Sequence, residues 1–124
     1  MSQTDKDVVR RWVDELINQG RLEVADQVCS PDLAGKAKEW VAPFRASFPD
    51  VVMRTVTLLA EGDQVVGRFA CSATHLGTWL GHPPTGRRFE DIAEVYFFRL
   101  EDGRIVELWG LEDTAERLRQ LGLT

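Results

Sequence analysis

The chain reads as an α+β domain with helices packed on one face of a bent sheet, and three observations lead there. Apolar residues recur at helical spacing as far as Phe48. From Val51 the period shortens from about 3.6 to about 2 and β-branched residues become frequent. Turn sequences at Glu61-Gly62-Asp63 and Glu101-Asp102-Gly103 then divide the second half into strands joined as hairpins. A length of 124 residues with 44% hydrophobic side chains suffices for one core, so one domain over 1–124 without a linker is expected.

The first helix follows from Val9, Trp12, Val13, Leu16 and Ile17, a single apolar stripe. Thr4 or Asp5 is its expected cap, and Gly20 ends it in the left-handed conformation that glycine adopts without steric cost. A second short helix over about 22–29 turns Leu22, Ala25, Val28 and Cys29 inward and stops before Ser30-Pro31-Asp32. The third covers about 33–48 and presents Ala37, Trp40, Val41, Phe44 and Phe48. Within it Pro43, which has no amide to donate, predicts a kink or a break. Strands are expected over 51–60, 64–75, 87–100 and 104–111, with a Gly/Pro-rich excursion over 77–86. Asp113-Thr114-Ala115-Glu116 has the shape of a capping box and opens a terminal helix to about Gln120.

Composition excludes several function classes. A net charge of −5 gives nothing to draw the protein to nucleic acid or anionic lipid. Cys29 and Cys71 fall in segments that read as buried and have no metal-ligand spacing, so they are expected as reduced core residues, with no metal site. The opening MSQTDKDVVRR lacks the basic-then-apolar order of a signal peptide, and no apolar run approaches the ~20 residues of a membrane span, which predicts a cytoplasmic protein.

Polar residues inside strand patterns carry the functional argument. Alternation along the longest strand puts Glu90, Ile92, Glu94, Tyr96 and Phe98 on one side and Asp91, Ala93, Val95, Phe97 and Arg99 on the other. On a concave, aromatic surface, burial would raise the Glu94 carboxyl into the range of a general acid or base, with Tyr96 hydrogen-bonding a developing enolate or alkoxide. On the opposite surface Glu94 would simply pair with an arginine. His75, at a strand end, is either a proton carrier or a tie for the Gly/Pro loop. Trp12, Trp40, Phe44, Tyr96, Phe98 and Trp109 either fill the core or line a cavity for a flat, apolar ligand. The segment 81–88 lacks the Lys-Ser/Thr of a phosphate loop, and it reads as a rigid turn with Arg87 and Arg88 at a rim.

In Thr74-His75, Gly77, Gly81, Pro83-Pro84-Thr85-Gly86-Arg87, Arg99, Asp102-Gly103-Arg104-Ile105, Glu107, Trp109, Asp113 and Gln120-Leu121-Gly122, taken in this order and spacing, the chain resembles the SnoaL-like polyketide cyclases (ester cyclases) of the nuclear-transport-factor-2-like superfamily. The resemblance spans almost the whole chain. It implies a cone-shaped α+β roll, with N-terminal helices on a strongly curved, mostly antiparallel sheet, a short C-terminal helix, and one pocket between helices and concave face. It implies too a cofactor-independent acid/base enzyme, a cyclase, isomerase or lyase acting on a lipophilic small molecule such as a polyketide intermediate, and a homodimer formed through the outer sheet face. Asp113 coincides with a recurrent family aspartate and joins Glu94, Tyr96 and His75 as a catalytic candidate. Counted from the shared turns, the family's acid/base aspartate, assisting histidine and asparagine fall at Gly110, Tyr96 and about Gly35. The scaffold is therefore carried over without the aldol machinery of the founding members. Epoxide hydrolysis or epoxide-opening cyclisation, which needs a paired acid and base, and a non-catalytic binding module are the rival readings.

Overall fold

The apolar stripe of the first helix is buried along its length, through Val9, Trp12, Val13, Leu16 and Ile17. In the computed structural model, which describes residues 2–123, it belongs to α1 (Ser2–Arg11) and the π-helical segment Trp12–Asn18 that continues it. The helix starts ahead of Thr4 and Asp5, so neither caps it. Gly20 follows at φ +70°, where a side chain would overlap the guanidinium of Arg45. That guanidinium donates from Nη1 to the Ile17 and Asn18 carbonyls at 2.7 and 3.0 Å, satisfying the π segment's free end.

Two more helices follow, α2 (Val24–Val28) and α3 (Pro31–Ser47). Of the expected kink or break, the break does not occur, since α3 runs through Pro43. Pro43 and Glu39, whose carbonyl loses its donor, are both exposed, and water can serve that carbonyl there. Inward, α3 buries Ala37 and Val41 and half-buries Trp40 and Phe44.

Four antiparallel strands, β1 (Val52–Glu61), β2 (Gln64–Thr74), β3 (Arg88–Glu101) and β4 (Arg104–Glu112), lie side by side in chain order. At the β3–β4 turn Asp102 and Gly103 both take positive φ, 51° and 76°, as a tight two-residue hairpin requires. The register slips three times. Val56 is the extra residue on β1, one residue of the Glu90–Asp91 pair on β3, and Val106 on β4. Each bulge bends its strand and reverses which residues face inward beyond it.

Two expectations are corrected by these bulges. Asp91, at φ 53°, donates its amide to the Ser72 hydroxyl, and the strand puts Phe89 rather than Glu90 on the side of Ile92, Glu94, Tyr96 and Phe98. On β4, Ile105 is buried, but past Val106 the residues opposite Phe98, Tyr96 and Glu94 are Leu108, Gly110 and Glu112. Trp109, expected in the cavity wall, therefore stands on the outer face, 57% exposed and edge-on to Phe97.

The chain closes with α4 (Thr114–Gln120), capped by the Asp113 carboxylate, which accepts the Glu116 amide at 3.0 Å. Glu116 does not reach back; its carboxylate is taken by Arg119 and Gln120. The larger core cluster packs α1–α3 against Phe69, Tyr96 and Phe98, and a smaller one gathers Phe48, Cys71, Phe89, Ile92 and Leu121. Both cysteines are free and buried, and burial pushes the Cys29 thiol up to about 11. No helix of the described residues is long and apolar enough to cross a membrane.

Candidate active site

Glu94 on β3 and Glu112 on β4 are direct cross-strand partners on the inward face. Two like charges so placed repel unless something lies between them. Two groups do. The Tyr96 hydroxyl donates to Glu94 Oε1 at 2.7 Å and lies 3.5 Å from Glu112 Oε2. From α4, Arg117 donates through Nη2 to Glu94 Oε2 at 2.6 Å and through Nη1 to Glu112 Oε1. Its guanidinium is fully enclosed, 4.8 Å from the ring centre of Phe89 and 5.5 Å from that of Phe44.

Charge in this cluster is set by its surroundings. Burial raises the Glu94 carboxyl above its ordinary value; the Tyr96 hydrogen bond opposes this, the Glu112 charge adds to it, and Arg117 works against it. Burial likewise pushes the Tyr96 phenol up, with Glu94 beside it adding to the effect, so the hydroxyl stays a neutral donor. For Arg117 burial acts to discharge the group, but Glu94 and Glu112 outweigh it and hold it charged.

Glu112 is the member that reaches open space, its side chain 30% exposed. It helps to line a groove of about 600 Å³ between α3, the loop over 76–86 and the start of α4, walled by Trp40, Phe44, Trp79 and Leu80. The loop is held to the end of α3 by the Ser47 carbonyl, which accepts the Leu76 and Gly77 amides at 3.0 Å, and by the Ser47 hydroxyl, which donates to the Thr78 carbonyl at 2.6 Å. Behind Trp40 and Phe44 a void of about 10 Å³ reaches Glu94 and Glu112, close to the room one water needs.

The roomy hollow expected beneath the helices is instead largely filled. Trp12 stacks on Trp40 at 5.8 Å and meets Tyr96 and Phe98 edge-on, so Trp12 and Phe98 are core residues, while Trp40 and Phe44 do line the groove. A Cβ built on Gly110 would overlap the Tyr96 ring, so the ring occupies the space over the position where the resemblance puts an aspartate. The carboxylates sit two residues earlier on β3 and two residues later on β4, at Glu94 and Glu112. Gly35 faces open space.

Of the four catalytic candidates, Glu94 and Tyr96 are brought together, while Asp113 is exposed at its cap. His75 lies elsewhere, fully buried at the base of the loop, where Nδ1 accepts the Thr85 amide at 3.2 Å and the ring packs on Phe48. With the Thr85 hydroxyl 3.1 Å from the same nitrogen, His75 ties the loop to the end of β2. Arg88 pairs with Asp50 and Glu90, away from the groove. Glu112, Arg117 and Trp79 were not read as site residues from the sequence. The signal for Arg117 was its place four residues before Leu121, on the face with which α4 meets the sheet.

Comparison with known proteins agrees with the fold. The profile of the SnoaL-like polyketide cyclases matches residues 7–121. Aklanonic acid methyl ester cyclase DauD of Streptomyces sp. (strain C5) is 28% identical over 94% of this chain and 70% of its own length. The nogalonic acid methyl ester cyclase of Streptomyces nogalater is 29% identical over 85% of this chain and 88% of its own. IdmH of Streptomyces antibioticus superposes with a TM-score of 0.80 at 31% identity, covering 95% of this chain and 98% of that one.

Proposed function

The chain belongs to the SnoaL-like polyketide cyclase family, and on that premise we propose that it is a cyclase working by acid/base catalysis, without a cofactor, on a lipophilic small molecule such as a polyketide intermediate. One observation carries the reading: two opposed carboxylates joined by a tyrosine hydroxyl end at the wall of an aromatic groove. Glu112, at the groove, takes a proton from a carbon next to a carbonyl and later returns it to the product. Glu94, out of reach of bulk solvent, holds the proton meanwhile, and the Tyr96 hydroxyl lies on the path between them. That hydroxyl is engaged with carboxylates, which moves it from the substrate-oxygen role expected of it. Two relatives are named for acid methyl esters, and an uncharged ester suits walls made of Trp40, Phe44 and Trp79.

Epoxide opening, by water or by an internal hydroxyl, is the second reading. It is favoured by the same pair, since two carboxylates that share one proton offer an acid and a base at once. Labelled water entering the product, or an internal ether forming, with oxirane substrates alone would select it.

The proposal includes a homodimer in the cytoplasm, joined through the outer sheet face. There Leu59, Val66, Phe97 and Trp109 stand in one row across all four strands, all but Val66 exposed. The test of the chemistry is turnover of lipophilic polyketone methyl esters by Glu112→Gln and Glu94→Gln. Each is expected to lose about 10²–10⁴-fold in rate, while quenching of tryptophan fluorescence shows the ligand still bound. Undiminished turnover in both would refute the assignment.

A further inference from the structure

Arg117 is charged, has no exposed surface, and lies on the terminal helix, far along the chain from Glu94. Burying a guanidinium is costly, and an apolar side chain would pack against Phe44 and Phe89 without that cost. Leu121 already anchors the helix in the core. What an apolar residue could not do is give one donor to each of two facing carboxylates. The guanidinium fork does this, through Nη2 to Glu94 and Nη1 to Glu112. Two acids and one cation leave a single negative charge when both acids are ionised and none when one is protonated. The Tyr96 hydroxyl, within 2.7 Å of one carboxylate and 3.5 Å of the other, bridges the places such a proton can sit.

We propose that Arg117 is a positioning residue, which binds Glu94 and Glu112 into one unit that takes up and releases a single proton. The catalytic meaning of this rests on the acid/base reading above; the coupling itself does not. Other ionisable groups surround the unit. Cys71 of β2 lies against Glu94, Glu39 of α3 shares the groove with Glu112, and Arg45 of α3 borders the small void but is bonded to backbone carbonyls. His75 stands behind Trp79. The raised Glu94 carboxyl agrees with a unit that keeps its proton beyond the ordinary carboxylate range.

Infrared titration of the buried protonated carboxyl, on the intact chain without ligand, tests this. One band is expected to titrate above the ordinary range. Glu94→Gln should remove it, and Glu112→Gln should move it to lower pH by lifting the like charge. Arg117→Met should move it to higher pH by roughly one pH unit or more. Arg117→Lys, whose ammonium cannot span both carboxylates as a fork, should move it part of that way. Were Arg117 there only for packing, Met would leave the titration in place. A band that ignores both Arg117 variants, in proteins with wild-type circular dichroism, overturns the proposal. If Arg117→Met fails to fold, Arg117→Lys decides. A band that moves while turnover ignores Glu94 and Glu112 would leave the coupling standing and remove the acid/base reading.

Discussion

The two faces of β3 and β4 invert the usual order of a protein sheet. Inward, beneath the helices, the register places Glu94 opposite Glu112 and Tyr96 opposite Gly110, and a buried arginine reaches both carboxylates. Outward, where water should be, it places Phe97 opposite Trp109 and Val95 opposite Leu111. Folding alone rewards neither arrangement, since buried ions cost free energy and exposed rings gain none. The inner face thus reads as chemistry and the outer as a surface awaiting another surface. At one end the outer apolar row gives way to Glu61, Gln64, Arg99 and Glu107, a polar border of the kind that surrounds an interface.

The strongest way to break the inner face is Gly110→Ala, because the added methyl meets the Tyr96 ring. We expect a loss of about 2–3 kcal/mol, read from urea unfolding, and a much smaller loss from the same change made in a Tyr96→Ala background. Equal losses with and without the Tyr96 ring would mean that the close approach is not what demands glycine there.

A smaller effect should come from the inner carboxyl itself. Glu94 holds its proton more tightly folded than unfolded, so the folded chain binds more protons from the ordinary value of 4.5 up to the raised one. Stability should therefore fall as pH rises through that window, by at most about 1.4 kcal/mol per pH unit for one proton. Glu94→Gln should flatten that part of the profile measured from about pH 4 to pH 7. A profile of unchanged slope in the variant would assign the dependence to other groups.

On the outer face, Phe97→Ser together with Trp109→Ser should change the oligomer and little else. Light scattering is expected to give the mass of two chains for the wild type and of one for the variant, with turnover per chain maintained. A wild type of single-chain mass would remove the interface reading, and lost turnover in the variant would show that the two faces are not independent.

Much of the fold was legible because it rests on local patterns. The stripe from Val9 to Ile17, the change of period at Val51 and the Asp102-Gly103 turn each act within a few residues. Glu94 and Tyr96 were legible for the same reason, as polar groups in phase with Ile92 and Phe98. Glu112 was not, and the reason is Val106. Alternation counted from Ile105 turns Trp109 inward and Glu112 outward, and one extra residue reverses both. Arg117 escaped for a related reason, since α4 is only seven residues long and shows too little periodicity to say which side meets the sheet.

The sequence by itself determined the order of the elements, the turns between them and that Glu94 and Tyr96 share one side of β3. Tertiary structure alone decided that β4 slips by one residue, that Tyr96 fills the space over Gly110, and that an arginine from the last helix lies between two glutamates. Periodicity reports which side of its own strand or helix a residue occupies. Register and helix docking are settled by packing between segments distant in sequence, and at this site a single residue of register determines whether a carboxylate or an indole faces the groove.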